Sequence, residues 1–214
     1  LASTTKADLT LEAMRGVYEG SKSLFIHARS VKEIKSAVLF CQRMNIENMV
    51  LVGANDAWRI ADFLSDYEVP VILNRLHRLP LRKDEDIDVA YKTAKILNDA
   101  GVLYCIDYQG DMERMGSRNL PFTAGTSVAF GLTKEEALMS ITLNTAKILG
   151  INETVGSLEI GKDATLFVSE GDALDMMTND VSLAFIRGKK LDLNNHQIKL
   201  FEKYKKRHKQ FKEE

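Results

Sequence analysis

Two acid–base side chains close apolar runs, where a strand would deliver them to a cleft. His27 lies in SLFIHA (23–28) and Asp107 ends GVLYCID (101–107). A neutral imidazole ligates cations or relays protons, and an ionised carboxylate ligates cations or serves as a general base. Each also has a plainer reading: a lone strand-end histidine is often only a hydrogen-bonded structural residue, and an acid beside a loop is often only solvated. More polar groups follow other runs. Gly53, Asn55 and Asp56 come after MVLV, His77 lies in NRLHRLP, and Asp111, Arg118 and Asn119 lie in YQGDMERMGSRNLP. Arg118 and Asn119 have the chemistry to hold a polar substrate, and equally to cap and pack against a following helix. Cys41 and Cys105 sit inside apolar stretches and read as small core residues, because two such thiols form no disulfide framework and no zinc-finger spacing.

The elements that must position these groups are βα units. Four near-continuous apolar runs, SLFIHA (23–28), ENMVLVG (47–53), VPVILN (69–74) and GVLYCID (101–107), have the composition of strands covered on both faces. Between them apolar residues recur at helical spacing: Val31, Ile34, Val38 and Cys41; Trp58, Ala61 and Leu64; Tyr91, Ala94 and Leu97. The loop after the fourth run is longer than ordinary βα connections, which marks it as functional. Two more helices follow. The second opens on a Thr133–Glu136 capping box and closes at Gly150, with Leu138, Ile141, Ala146 and Leu149 on its expected buried side. Residues 155–191 read as short strands with Gly turns, and the charged tail HQIKLFEKYKKRHKQFKEE reads as a helix. Its stripe of Ile198, Phe201, Tyr204, His208 and Phe211 is expected to dock on its own domain rather than on a membrane.

Composition excludes several classes. The chain has 214 residues, 45% hydrophobic and 28% charged, with 3 Pro, which is a globular balance. Its 29 basic and 30 acidic residues leave −1, no global field for nucleic acid or an anionic membrane. No apolar stretch approaches the ~20 residues of a bilayer span, and LASTTKADL has neither the basic nor the apolar part of a signal peptide, so the compartment stays open. The first residue is Leu rather than Met, which suggests a piece of something longer or a removed segment.

Consecutive βα units followed by a Gly-punctuated β unit suggest a TIM-type barrel, with sites at the carboxyl ends of its strands. The run GLTKEEALMSITLNTAKILGINETVGSLEIGKDATLFV closely resembles the signature of the metal-dependent amidohydrolase superfamily, and LFIHARS, VPVILN and SRNLPFTAG resemble its imidazolonepropionase-related branch. The resemblance implies an α/β fold: the C-terminal half of a (β/α)8 barrel, strands five to eight, over residues 1–151; part of a flanking β-sandwich over 152–195; and the charged helix over 196–214. It implies that His27 is the strand-five metal ligand, that Asp107 is the strand-eight ligand and general base, and that Arg118 and Asn119 bind substrate. His77 is a weaker candidate at the same mouth.

The chain departs from the pattern in two places. No imidazole follows the second run, and neither Asp107 nor Asp111 has the usual Thr or Ser before it. The implied cofactor is a divalent metal, zinc, present only in a complete assembly. The implied partners are the N-terminal barrel half or a second copy, and a small-molecule substrate. The implied reaction is hydrolysis of amide or cyclic-amide C–N bonds by activated water. A non-catalytic scaffold of the same fold and an independent flavodoxin-like module are the competing readings.

Overall fold

The computed structural model describes residues 8–74, 76–109 and 113–208, without the side chains of 113, 114, 207 and 208. Its contacts divide the chain into two compact units, Leu1–Ser157 and Leu158–Glu214.

The first unit opens with two short helices, α1 (Leu9–Ala13) and α2 (Arg15–Tyr18), and continues as βα units. Strand β1 (Leu24–Ala28) leads to α3 (Val31–Arg43), and β2 (Met49–Gly53) leads through a 3-10 turn to α4 (Ala61–Asp66). Strand β3 (Val71–Asn74) leads to α5 (Val89–Asp99), then β4 (Tyr104–Asp107). The four strands form one parallel sheet in the order β1-β2-β3-β4. Crossovers between parallel strands are right-handed, so a sheet that never reverses its order keeps its crossover helices on one side. A doubly wound flavodoxin-like sheet reverses at a switch point, and this one does not.

Register separates the two faces. Ile26, Leu51, Val71 with Leu73, and Tyr104 with Ile106 share one face, and all but Ile26 are at most 2% exposed. The buried stripes Ile34–Val38–Cys41 of α3 and Ala90–Ala94–Leu97 of α5 complete this layer. Each fully buried Leu or Ile is worth roughly 1.5–3 kcal/mol. The other face carries Phe25, His27, Val50, Val52, Ile72, Asn74, Leu103, Cys105 and Asp107. Near the amino ends of the strands it is covered by Ile148, which packs with Val50 and Cys105 beside Ile72 and Leu103.

Among the described residues of the first unit, four α-helices follow β4: α6 (Glu113–Gly116), α7 (Leu120–Ala129), α8 (Lys134–Ile141) and α9 (Leu143–Ile148). The expected single last helix is two, because Thr142 takes φ −127°, ψ −90° and interrupts it. The break shifts the buried register. Ala137, Ser140, Ala146 and Ile148 are inside, whereas Leu149, expected inside, is 50% exposed. Thr133 and Glu136 form the capping box, and Asn98 at the end of α5 donates to Glu136 at 2.8 Å. Gly156 sits at φ +99° with its missing Cβ aimed 2.7 Å from the Ala146 Cβ, so only glycine lets this segment lie against α9.

The second unit holds the antiparallel sheet β5 (Leu166–Ser169), β6 (Val181–Ile186) and β7 (Lys189–Lys190), then α10 (His196–His208). Arg187 and Gly188 both have positive φ, the turn whose twist matches a tight hairpin. The tail helix departs from expectation: Ile198, Phe201 and Tyr204 are 43%, 54% and 47% exposed. Of the expected stripe, the His208 side chain and Phe211 lie outside the described residues. Among those residues, no helix is long and apolar enough to cross a membrane.

Candidate active site

His27 and Asp107 lie on the same face of the sheet. His27 is in register with Val52, Val52 with Ile72 and Ile72 with Cys105, and Asp107 follows Cys105 by one full pleat. Both stand at carboxyl ends, one on each edge strand. Three spacings of ~4.8 Å put the edge-strand backbones ~14 Å apart along the sheet, and Asp107 lies a further pleat on; among the described residues the two side chains are not part of any group of three or more that could hold a metal.

Asp107 is held by its neighbours. Its Cα partner on β3 is Asn74, whose amide nitrogen, oriented toward the acceptors, donates to both carboxylate oxygens at 3.0 and 3.1 Å. The Asn74 amide oxygen meets the Gln109 side-chain amide. Burial pushes the Asp107 carboxyl up to about 6, and the Gln109 backbone N–H works against that rise. Asn74 and Gln109 carry no sequence signal beyond their strand-end positions. Two residues before Asp107, the Cys105 thiol is raised to about 11 by burial, which makes it an inert core group.

The end of β2 is built differently. Gly53 has φ +95° and the next residue, Ala54, has φ +40°, a backbone that disfavours a branched or ring-bearing side chain. Asp56 is 2% exposed and binds the Arg82 guanidinium through both oxygens, at 2.9 and 2.6 Å. It also accepts from the Val31 amide at 3.2 Å, in the first turn of α3. The Arg82 hydrogen bond holds the Asp56 carboxyl below the usual carboxylate range. Arg82 further reaches the buried Glu85 at 2.7 Å. Burial pushes Glu85 up, but the Leu81 and Arg82 amides and the Arg82 guanidinium outweigh it and hold Glu85 low. Arg78 donates to the Asn55 carbonyl at 3.3 Å. This clamp fastens the segment between β3 and α5 over the ends of β1 and β2, and the sequence singled out only its Asp56 and Asn55.

The other candidates are spread apart. The His77 Nε2 lies 2.8 Å from the Thr126 hydroxyl of α7. That hydroxyl donates to the Phe122 carbonyl at 3.0 Å, so His77 is the donor to it. The His77 ring also lies 5.7 Å from that of Tyr91. Arg118 is exposed, and Asn119 precedes α7 with its carbonyl accepting from the Thr123 hydroxyl at 3.2 Å. Asp111 lies outside the described residues. Among those residues, no three His, Cys, Asp or Glu side chains gather in a group that could hold a metal. Imidazole and carboxylate at strand ends are donors that zinc takes, so the pair fits a cation in kind. It does not fit in number.

The amidohydrolase family profile matches residues 46–192. The chain belongs to the amidohydrolase family. An imidazolonepropionase of Thermoplasma volcanium is 30% identical over 154 residues, 70% of this chain and 35% of that protein. One from Shewanella putrefaciens is 66% identical over 35 residues, 16% of this chain and 9% of its own. Among solved structures, an amidohydrolase from Thermotoga maritima matches at TM-score 0.77 and 26% identity, over 89% of this chain and 48% of that one. An adenosine deaminase from Xanthomonas campestris shares the fold at TM-score 0.56 and 16% identity, over 95% of this chain and 55% of that one. This amidohydrolase chain thus spans about half or less of the first relatives and structures it matches.

Proposed function

We propose that the chain is the C-terminal part of an amidohydrolase, strands five to eight of a (β/α)8 barrel with part of a flanking β-sandwich. Completed by the other half of the barrel, it hydrolyses C–N bonds of a small amide or cyclic amide. The observation that carries this reading is the placement of His27 and Asp107 on one face at the carboxyl ends of the two edge strands. Zinc held at the completed mouth would activate water and polarise the carbonyl. In that assembly His27 is a ligand. Asp107, raised by burial to about 6, is ionised at neutral pH yet basic enough to accept a proton from water. Asn74 holds its carboxylate in place. Arg118, exposed at the start of the α7 region, binds the polar part of the substrate, and Asn119 supports it.

Co-expression with an N-terminal half bearing an H-x-H strand tests the proposal. Elemental analysis should then find zinc in the complex, imidazolone or amide substrates should be hydrolysed, and His27→Ala should abolish both. A stable complex with neither metal nor activity would favour the second reading, a scaffold of the same fold. That reading is supported by the end of β2, where Gly53 and the Asp56–Arg82 clamp stand in place of an imidazole.

A further inference from the structure

Two arginines reach the loop that follows β2, one from beyond each neighbouring strand. On the β1 side, the Asp56 amide donates to the Arg29 carbonyl at 2.9 Å, and the Arg29 Cγ lies 4.0 Å from where a Cβ on Gly53 would stand. On the β3 side, the Arg78 Nη2 donates to the Asn55 carbonyl at 3.3 Å and its Nη1 to the Leu79 carbonyl at 3.3 Å. Strands β1 and β3 flank β2, so both side chains stand at the carboxyl end of the same strand.

The partners of these arginines do not match their charge. Arg78 is half-buried, and a guanidinium drawn out of water is ordinarily paired with a carboxylate. Among the described residues no carboxylate lies within ion-pair distance of Arg78 or of Arg29. The acids whose charge reaches Arg78, Glu85 and Asp56, are bound by Arg82 at 2.7 and 2.6 Å. Glu33, whose charge is felt by Arg29, is held by the Arg29 and Ser30 amides at 2.8 and 2.9 Å. Arg59, Arg78 and Arg82 thus share only Asp56 and Glu85, and one positive charge is left over. Burial works against the charge on Arg78, and its two long bonds to carbonyls offer dipoles rather than an opposite charge.

We propose that Arg29 and Arg78 form an anion-binding site at the end of β2, taking the oxygens of a carboxylate or phosphate group. A planar fork of donors suits such a group, and two guanidiniums that approach one loop from opposite sides supply both charge and direction. Two sources share this chemistry: an anionic group carried by the substrate, and a free oxyanion. Both arginines belong to this chain, so the site does not wait for the rest of the barrel and goes beyond the proposed reaction.

The test uses the full chain with inorganic phosphate, and separately acetate, at an ionic strength held constant with chloride. Backbone amide resonances of residues 53–56 should shift saturably with each anion. Arg78→Gln should weaken the apparent affinity by about tenfold, the loss expected for a charge-assisted hydrogen bond. Arg29→Gln should weaken it less, because Arg29 is exposed, and Arg78→Lys should fall between wild type and Arg78→Gln, keeping the charge without the fork. Thermal melts separate this from misfolding, and if Arg78→Gln does not fold, Arg78→Lys and Arg29→Gln carry the comparison. No saturable shift, or shifts that the arginine variants leave unchanged, overturns the inference. In the completed hydrolase, an amide bearing a carboxylate and its uncharged carboxamide counterpart identify the source. A KM that rises about tenfold in Arg78→Gln for the charged substrate alone assigns the anion to the substrate. Equal KM values in variant and wild type, with phosphate still bound by the wild type, assign it to a free oxyanion. A completed assembly without activity counts against the proposed function, while the phosphate titration of the chain still decides the site.

Discussion

Among the candidate site residues, Asp107 is the carboxyl that its surroundings push upward. Its carboxyl rises from 3.8 to about 6 because burial penalises the charge. A carboxyl whose folded value is raised binds its proton more tightly when folded than when unfolded. Its contribution to stability is therefore fullest below about pH 4 and falls as pH rises through 6. Asp107→Asn should remove that loss and stabilise the chain at pH 7 by about 1–2 kcal/mol, once part of the shift is discounted for solvent. Urea denaturation at pH 4, 5, 6 and 7 checks this: the wild type should lose stability across the series relative to the variant. Parallel curves would mean that Asn74 and Gln109 already offset the burial.

At the scale of elements, the clamp of Asp56, Arg82 and Glu85 fixes the segment between β3 and α5. Arg82 is 41% exposed, but both carboxylates it serves are 2–3% exposed. Removing it leaves the buried Asp56 carboxylate without its two-pronged partner, while Glu85 keeps the Leu81 and Arg82 amides, so Arg82→Ala should lower the melting temperature clearly more than Arg59→Ala. Arg59 reaches Glu85 only at 3.6 Å and is partly solvated, so Arg59→Ala should cost under ~1 kcal/mol. Thermal melts of the two variants compare them directly, and equal losses would contradict the clamp. Folded-state values for Asp56 and Glu85 are lowered, so the clamp's stability is present above the usual carboxylate range and is lost as pH falls below it.

For the whole molecule, the prediction is about completion. If the N-terminal barrel half binds the folded chain and not the unfolded one, mass action stabilises the complex, and that half at about a hundredfold excess over its dissociation constant should add about 2.7 kcal/mol. The thermal midpoint should then climb by several degrees as the half is added. A midpoint that does not move would place all of the stability within this chain.

The βα alternation, the four strands, the capping box at Thr133–Glu136 and the end of β4 at Asp107 were all legible in the sequence, whereas the capping box that Ser30 and Glu33 form at the start of α3 was not read there. These are set by apolar periodicity and by side chains that reach their own backbone, both of which act within a few residues. Tertiary structure alone decided the rest. The face shared by His27 and Asp107 follows from register across three strand pairs, and Asn74 is Asp107's partner because β3 lies beside β4. Leu149 turned outward because Thr142 broke the helix that should have carried it inward. His77 donates to Thr126 of α7, 49 residues away, and Asp56 found Arg82 across 26 residues. Such contacts carry no local pattern, because their energy comes from burying charge and hydrogen-bonding groups against elements that only the folded chain brings together.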